Sequence, residues 1–240
     1  MSVVRLEITA DGVAIASLSG RKSFNLFDIE MRDELIGTLE TVQRHPDVRA
    51  LLLRADGDHF SAGADLAEFG SARDVFEARS IRGRRDPWST LWELRVPAVA
   101  ALHGAVMGSG LEMALLCDLR ICRPDARLAL PESRLGMLPA AGGTQSLTRV
   151  VGAAAALPLV LLGQTLTAIE ALAAGIVDEV SDEHEQRALD VAISFARLPR
   201  SASEAAKEAL RLAQDLPLPQ GLIAERSLAR RANALAGAGD

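Results

Sequence analysis

His103-Gly104-Ala105-Val106-Met107-Gly108-Ser109-Gly110-Leu111-Glu112 follows directly on the apolar run Pro97-Ala98-Val99-Ala100-Ala101-Leu102. A continuous apolar run reads as a strand covered on both faces, and the glycine-rich turn after it leads into a helix over about Leu111 to Cys117. Strand, glycine turn and helix in this order aim backbone N–H groups at an anion. The first amides of a helix lack intrahelical partners, and its dipole adds partial positive charge. Several readings compete. A dinucleotide fingerprint fits Gly108 and Gly110, but Met113 stands where the third glycine belongs. A serine nucleophile elbow around Ser109 fails, because Met107 and Leu111 fill its glycine positions. A backbone oxyanion hole near Ser109 is left, level with plain close packing of strand on helix. Glu112 lies three residues beyond Ser109, on the same helix face. A carboxylate there acts on whatever the turn polarises, although dipole compensation is the commoner role of a lone first-turn Glu.

On the N-terminal side, Val4 to Ile8 and Val13 to Leu18 alternate around the turn pair Asp11-Gly12, a hairpin signature. Asp28 is an N-cap for a helix through Met31, Leu35, Leu39 and Val42 that ends before Pro46. Ala50-Leu51-Leu52-Leu53 reads as a buried strand, and a Gly/Asp-rich loop follows over Asp56 to Asp65. Residues 66–95 read as mostly helical, with a basic break around Arg82, Arg84 and Arg85. There Phe69, Phe76, Trp88 and Trp92 suit an acyl pocket and an ordinary core equally. On the C-terminal side, Leu119 to Cys122 and Arg127 to Leu130 are short strands, and after Pro139 the chain turns helical. Thr167 and Glu170 form a capping box for a helix that stops at Gly175. Further helices run near 183–196, 201–214 and 219–235. The result is an α/β core over 1–180 with a helical C-terminal region over 181–240.

Composition narrows the function. Of 240 residues 49% are hydrophobic and 24% charged, enough to bury a core in a chain of net charge −6. Only 3% are aromatic and no basic run is present, which argues against nucleic acid as a partner. Cys117 and Cys122 are too few for a four-thiolate zinc site or a disulfide scaffold and read as reduced, buried residues. The longest apolar run, Val150 to Leu162, is too short to span a bilayer, and no leader is visible, so a cytoplasmic protein with no membrane partner is expected.

Taken together, Phe60-Ser61-Ala62-Gly63-Ala64-Asp65-Leu66, His103 to Glu112, Cys117-Asp118, Pro131-Glu132 and Gly142-Gly143-Thr144-Gln145 resemble the enoyl-CoA hydratase/isomerase (crotonase) family. Arg21-Lys22-Ser23-Phe24-Asn25 and the segment from Leu166 to Val177 share the resemblance, which covers about residues 5–235 in order. It implies a crotonase-like α/β fold, a spiral core of (ββα) repeats with a helical C-terminal trimerisation region, assembled as a homotrimer or hexamer. It implies that the amides of Ala64 and Ser109 hold the thioester oxygen of an acyl-CoA. Glu112 and Glu132 fall on the two catalytic glutamates of hydratases. Ala62, Asp65, Leu66, Ala67 and Ala140 fall on the substrate-binding loops, and Arg21 and Lys22 on a region near the CoA phosphates. The expected reaction adds water across the 2,3-double bond of a 2-enoyl-CoA, with CoA as part of the substrate and no separate cofactor or metal. Isomerase, thioester hydrolase and decarboxylase relatives use the same scaffold, and a non-catalytic acyl-CoA binder is an alternative of another class. The two glutamates favour hydration.

Three positions depart from the family pattern. Ser109 occupies a place usually held by Gly or Ala, where a side chain is expected to crowd the thioester site. Ala140-Ala141 follows Pro139 where the family often has Gly, which would strain the backbone if a positive φ were needed. The chain finishes at Asp240 without the aromatic-plus-lysine stretch that helps cover CoA in relatives, so unusual CoA affinity or trimer packing is expected.

Overall fold

The structure is a computed structural model, and it describes residues 3–20, 24–68 and 86–236. Its strands are β1 (Val4–Ile8), β2 (Val13–Leu18), β3 (Ala50–Ala55), β4 (Ala98–Leu102), β5 (Ala105–Met107), β6 (Leu119–Cys122), β7 (Arg127–Ala129), β8 (Leu166–Thr167) and β9 (Glu179–Val180). The larger sheet runs β1-β2-β3-β4-β6-β9, antiparallel only at the N-terminal hairpin and parallel from β2 onward. A smaller sheet, β5-β7-β8, stands beside it. The helices are α1 (Ile29–Arg44), α2 (Pro87–Trp92), α3 (Ser109–Leu115), α4 (Gly143–Val151), α5 (Ala153–Leu162), α6 (Ala168–Ala173), α7 (His184–Ala196), α8 (Arg200–Asp215) and α9 (Leu218–Ala236). Among the described residues, no helix is long and apolar enough to cross a membrane.

Strand periodicity explains why the large sheet is apolar on both faces. In β3, Leu51 and Leu53 face a core shared with Met31, Leu35 and Leu39 of α1, while Ala50 and Leu52 face the other way. That second face receives Ala188, Ala192 and Ala196 of α7, four residues apart, and their small side chains let the helix lie close on the sheet. Both caps expected from the sequence are formed. Asp28 accepts from the Met31 amide at 2.8 Å, and Thr167 and Glu170 complete a reciprocal capping box. Cys117 and Cys122 are free and buried, and burial pushes both thiols up to about 12.

Some local expectations change. The glycine turn contains the strand β5, and β8 and β9 lie in a region read as helical; each is only two or three residues long and exists through its partner strand rather than its own pattern. The helix after the turn starts at Ser109 rather than Leu111, because Gly108 with φ +51 is its N-cap. Of the residues read as mostly helical over 66–95, the described ones give a 3₁₀ turn at Leu66–Glu68 and α2. Trp88 is core, 5.4 Å from Phe27 ring to ring, whereas Trp92 is partly exposed beneath the Arg211 guanidinium. Phe69, Phe76, Arg82, Arg84 and Arg85 lie outside the described residues.

A buried cation ties α8 to the residues that lead into β4 and β6. Lys207 of α8 donates to Asp118 Oδ2 at 2.6 Å and to the Val96 carbonyl at 2.7 Å, and Asp118 Oδ2 also accepts from the Ala98 amide at 2.7 Å. Lys207→Ala leaves the Asp118 carboxylate without its cation and is expected to lower stability by about 3 kcal/mol in urea unfolding. Adding Asp118→Asn should restore part of the loss, since the neutral amide keeps an acceptor for Ala98; a Lys207→Ala variant as stable as the parent would contradict this role.

Candidate active site

Two chain segments run side by side at the ends of β3 and β4. The Phe60 amide donates to the His103 carbonyl, Ser61 N–H to the Ala105 carbonyl and Met107 N–H to the Ser61 carbonyl, each within 3.0 Å. Backbones this close leave no room for a Cβ at two positions. A Cβ on Gly104 would meet the Asp58 carbonyl oxygen at 2.1 Å, and one on Gly110 would meet Ser61 Cβ at 2.8 Å. Past this pairing both segments turn away, and the amides of Ala64 and Ser109 donate to no protein acceptor among the described residues. They belong to one locality: a Cβ built on Gly63 would lie 3.6 Å from the Ser109 nitrogen. Trp88 Nε1 donates to the Ser109 carbonyl at 3.2 Å and steadies the turn.

Two carboxylates lie at this locality, each carried by a different element. Glu112, on the first turn of α3, is 1% exposed. Its Oε1 accepts from the Gly143 amide at 2.7 Å and from the Ala141 amide at 2.9 Å. Gly143 opens α4, so the carboxylate sits where helix-terminal N–H groups have no other partner. Burial is the largest influence and pushes the Glu112 carboxyl up to about 7. The Gly143 hydrogen bond pulls against it, the Glu132 charge adds to the rise, and hydrogen bonds from the Ala141 amide and the Ser109 side chain oppose it. Glu132 opens a 3₁₀ turn, Glu132–Leu135. Its Oε1 lies 2.8 Å from the position of a Cβ on Gly108, while its Oε2 is buried with no hydrogen-bond partner. Burial raises this carboxyl as well. A site with two free amides and two carboxyls biased toward the protonated form suits proton transfer beside a developing negative charge.

The other expected residues distribute unevenly. Ala62 and Asp65 are half-buried beside the Ala64 amide, and Leu66 and Ala67 are exposed at the following turn. The Ala67 amide donates to Asp65 Oδ1 at 3.0 Å. Ala140 is exposed and carries no strain: the positive φ of this loop falls on Gly142, at +106°, so the expected cost of alanine does not arise. Arg21 and Lys22 lie outside the described residues. Sequence reading missed the Ala141 and Gly143 amides that hold Glu112; Gly142-Gly143 at the start of a helix was the available signal. The site takes no part in a cleft of about 540 Å³ that lies at the far ends of α3 and α4 against α8.

This arrangement goes with a family assignment. The chain belongs to the enoyl-CoA hydratase/isomerase family, whose model matches residues 9–235. It is 36% identical over 228 residues to the Mycobacterium leprae protein named Probable enoyl-CoA hydratase echA8, covering 92% of this chain and 87% of that protein. It is also 36% identical over 218 residues to the 2,3-dehydroadipyl-CoA hydratase of Escherichia coli, covering 90% and 85% of the two chains. The crystal structure of enoyl-CoA hydratase from Bacillus anthracis superposes with a TM-score of 0.89 at 30% identity, covering 95% of this chain and 90% of that one. The crotonase-like fold expected from the sequence is thereby established.

The buried acid makes stability pH-dependent. Between 4.5, the ordinary value, and about 7 the folded protein keeps a proton on Glu112 that the unfolded chain has released, so stability falls as pH rises through that window. Glu112→Gln retains an Oε1 acceptor for both amides and cannot ionise. Its stability relative to the parent should be flat at low pH and improve to about 3 kcal/mol in its favour near pH 8. Urea unfolding across pH measures this, and a pH-independent difference would count against a raised Glu112.

Proposed function

We propose that the chain is an enoyl-CoA hydratase that adds water across the 2,3-double bond of a 2-enoyl-CoA to give a 3-hydroxyacyl-CoA. The convergence of Glu112 and Glu132 on the glycine turn that carries the unpartnered Ser109 amide supports this reading most directly. The activities named for the relatives, enoyl-CoA and 2,3-dehydroadipyl-CoA hydration, support it independently. In this reading the amides of Ala64 and Ser109 receive the thioester oxygen as electron density flows onto it, each contributing roughly 3 kcal/mol to transition-state stabilisation. Glu112, held by two backbone donors, orders and deprotonates the attacking water at C3. Glu132, whose Oε2 has no protein partner, delivers the proton at C2. The Glu132 charge adds to the rise of the Glu112 carboxyl, so charge on one acid opposes charge on the other. Bond formation to oxygen and proton delivery to carbon balance without electron transfer, so no redox cofactor or metal is needed and CoA enters as part of the substrate.

Ala62, Asp65, Leu66, Ala67 and Ala140 are assigned to the walls of the CoA thioester site, and Arg21 and Lys22 to its phosphates. We further infer a cytoplasmic homotrimer or hexamer assembled through the helical region 181–240. Exposed Leu210, Leu218 and Ile223 on α8 and α9 support that assembly.

Incubation with a panel of acyl-CoAs, with products identified by mass, tests the reaction. A gain of one water on 2-enoyl-CoA is expected. An isomer of unchanged mass, or free CoA, would move the assignment to another chemistry, and binding without product would leave a non-catalytic protein. Glu112→Gln and Glu132→Gln, correctly folded, should each reduce kcat by at least about 100-fold, followed as loss of the conjugated thioester absorbance. Full activity in either would remove that residue from the mechanism.

A further inference from the structure

Asn25 is the sole non-glycine residue with a positive φ, +46°, among the described residues, and it is 2% exposed. Left-handed backbone disfavours L-residues, and glycine would relieve it. A side chain retained there is therefore doing something glycine cannot. Asn25 Oδ1 accepts from the Gly20 amide at 2.8 Å, and its Nδ2 donates to the carbonyls of Asp56 and His59, each at 2.8 Å. One amide group thus ties the end of β2 to both ends of the Asp56–His59 loop. The strained turn presents its main chain to the next segment. The Asn25 carbonyl accepts from Ser61 Oγ at 2.7 Å, and the same Oγ accepts from the Gly63 amide at 3.1 Å. Either side of that relay, the Ala62 amide donates to the Phe24 carbonyl and the Phe27 amide to the Gly63 carbonyl, both at 2.9 Å. Among the described residues, the hydrogen bonds that residues 61–63 make outside their own segment, apart from those to β5, are all with residues 24–27. The next amide in the chain is that of Ala64.

We propose that Asn25 is a positioning residue for the Ala64 amide: it fixes, through Ser61, the direction in which that N–H points at the thioester oxygen. The inference rests on the hydration reading given above. Electrostatic stabilisation by a backbone donor depends steeply on its placement, so a small rotation of the 61–64 segment weakens the transition state more than the ground state. Asn25→Gly frees the backbone strain and deletes all three side-chain bonds. Ser61→Ala leaves Asn25 intact and removes the hydroxyl that links it to Gly63.

The test uses the full chain with a 3-aryl-2-enoyl-CoA as probe, whose absorbance moves to longer wavelength when its thioester carbonyl is polarised. Asn25→Gly should lower kcat about tenfold or more while KM changes by less than about threefold, and it should reduce the red shift of the bound probe. Ser61→Ala should show the same pattern with a smaller loss, about threefold to fivefold in kcat. A merely structural Asn25 would lower the unfolding midpoint and leave kcat and the red shift of the folded fraction at parental values, and that result overturns the proposal. If Asn25→Gly does not fold, Ser61→Ala decides alone: parental kcat and red shift in that variant overturn it. A parental protein that neither hydrates 2-enoyl-CoA nor shifts the probe refutes the hydratase reading itself, an outcome distinct from a parental shift that both variants reproduce.

Discussion

The contact on which the site depends is made backbone to backbone, between residues 60–63 and 103–110. Main-chain hydrogen bonds hold them together, and glycines at 104 and 110 permit it, since a Cβ at either would strike the opposite chain. Chains paired that tightly must separate somewhere, and at the point of separation their amides lose their acceptors. Ala64 and Ser109 stand there. The free donors thus follow from geometry already imposed by the sheet: β3 and β4 are parallel neighbours, so the segments leaving them start out in the same direction.

Burying the acids beside those donors carries a desolvation penalty that the fold meets in two ways. Glu112 is the more buried and is given two N–H groups from the start of α4, which favour its charged form without overcoming burial. Glu132 is half-buried, and its Oε2 has no hydrogen-bond partner among the described residues. Two carboxyls of one residue type thereby sit in different environments, the condition under which a pair can divide acid and base work. Close apolar burial on both faces of the large sheet supplies the stability against which such a site is maintained.

Much of this was legible in the sequence because the decisive features are local. The hairpin turn at Asp11-Gly12, the cap at Asp28, the capping box at Thr167 and the apolar strands around Leu52 and Ala100 each rest on a few neighbouring residues. The glycine turn and Glu112 shared a helix face by simple spacing. Pairing across long separations was not legible from pattern. β8 and β9 are two-residue strands made by their partners, and Glu132, after a proline in a loop, became a site residue only through the resemblance to a family. Asn25 stood inside a recognised motif, yet nothing in the sequence announces a left-handed asparagine whose bonds reach residues 56, 59 and 61. Whether Ala140 would be strained was open for the same reason, since which residue of a Pro-Ala-Ala-Gly-Gly loop takes the positive φ is settled by what the loop must reach.

Ser109 shows how a departure from pattern is absorbed. A side chain at this point of the turn was expected to crowd the thioester site. The residue is the first of α3, and its side chain lies one turn before Glu112, where it opposes the rise that burial imposes on that carboxyl. Its amide is unaffected by the identity of the side chain, and its carbonyl is occupied by Trp88 Nε1. One residue therefore presents three groups to three tasks: an N–H left free, a carbonyl that fastens the turn to α2, and a hydroxyl that moderates the nearer acid. Glycine would supply the first two and alanine no more; the hydroxyl beside Glu112 is what the serine adds.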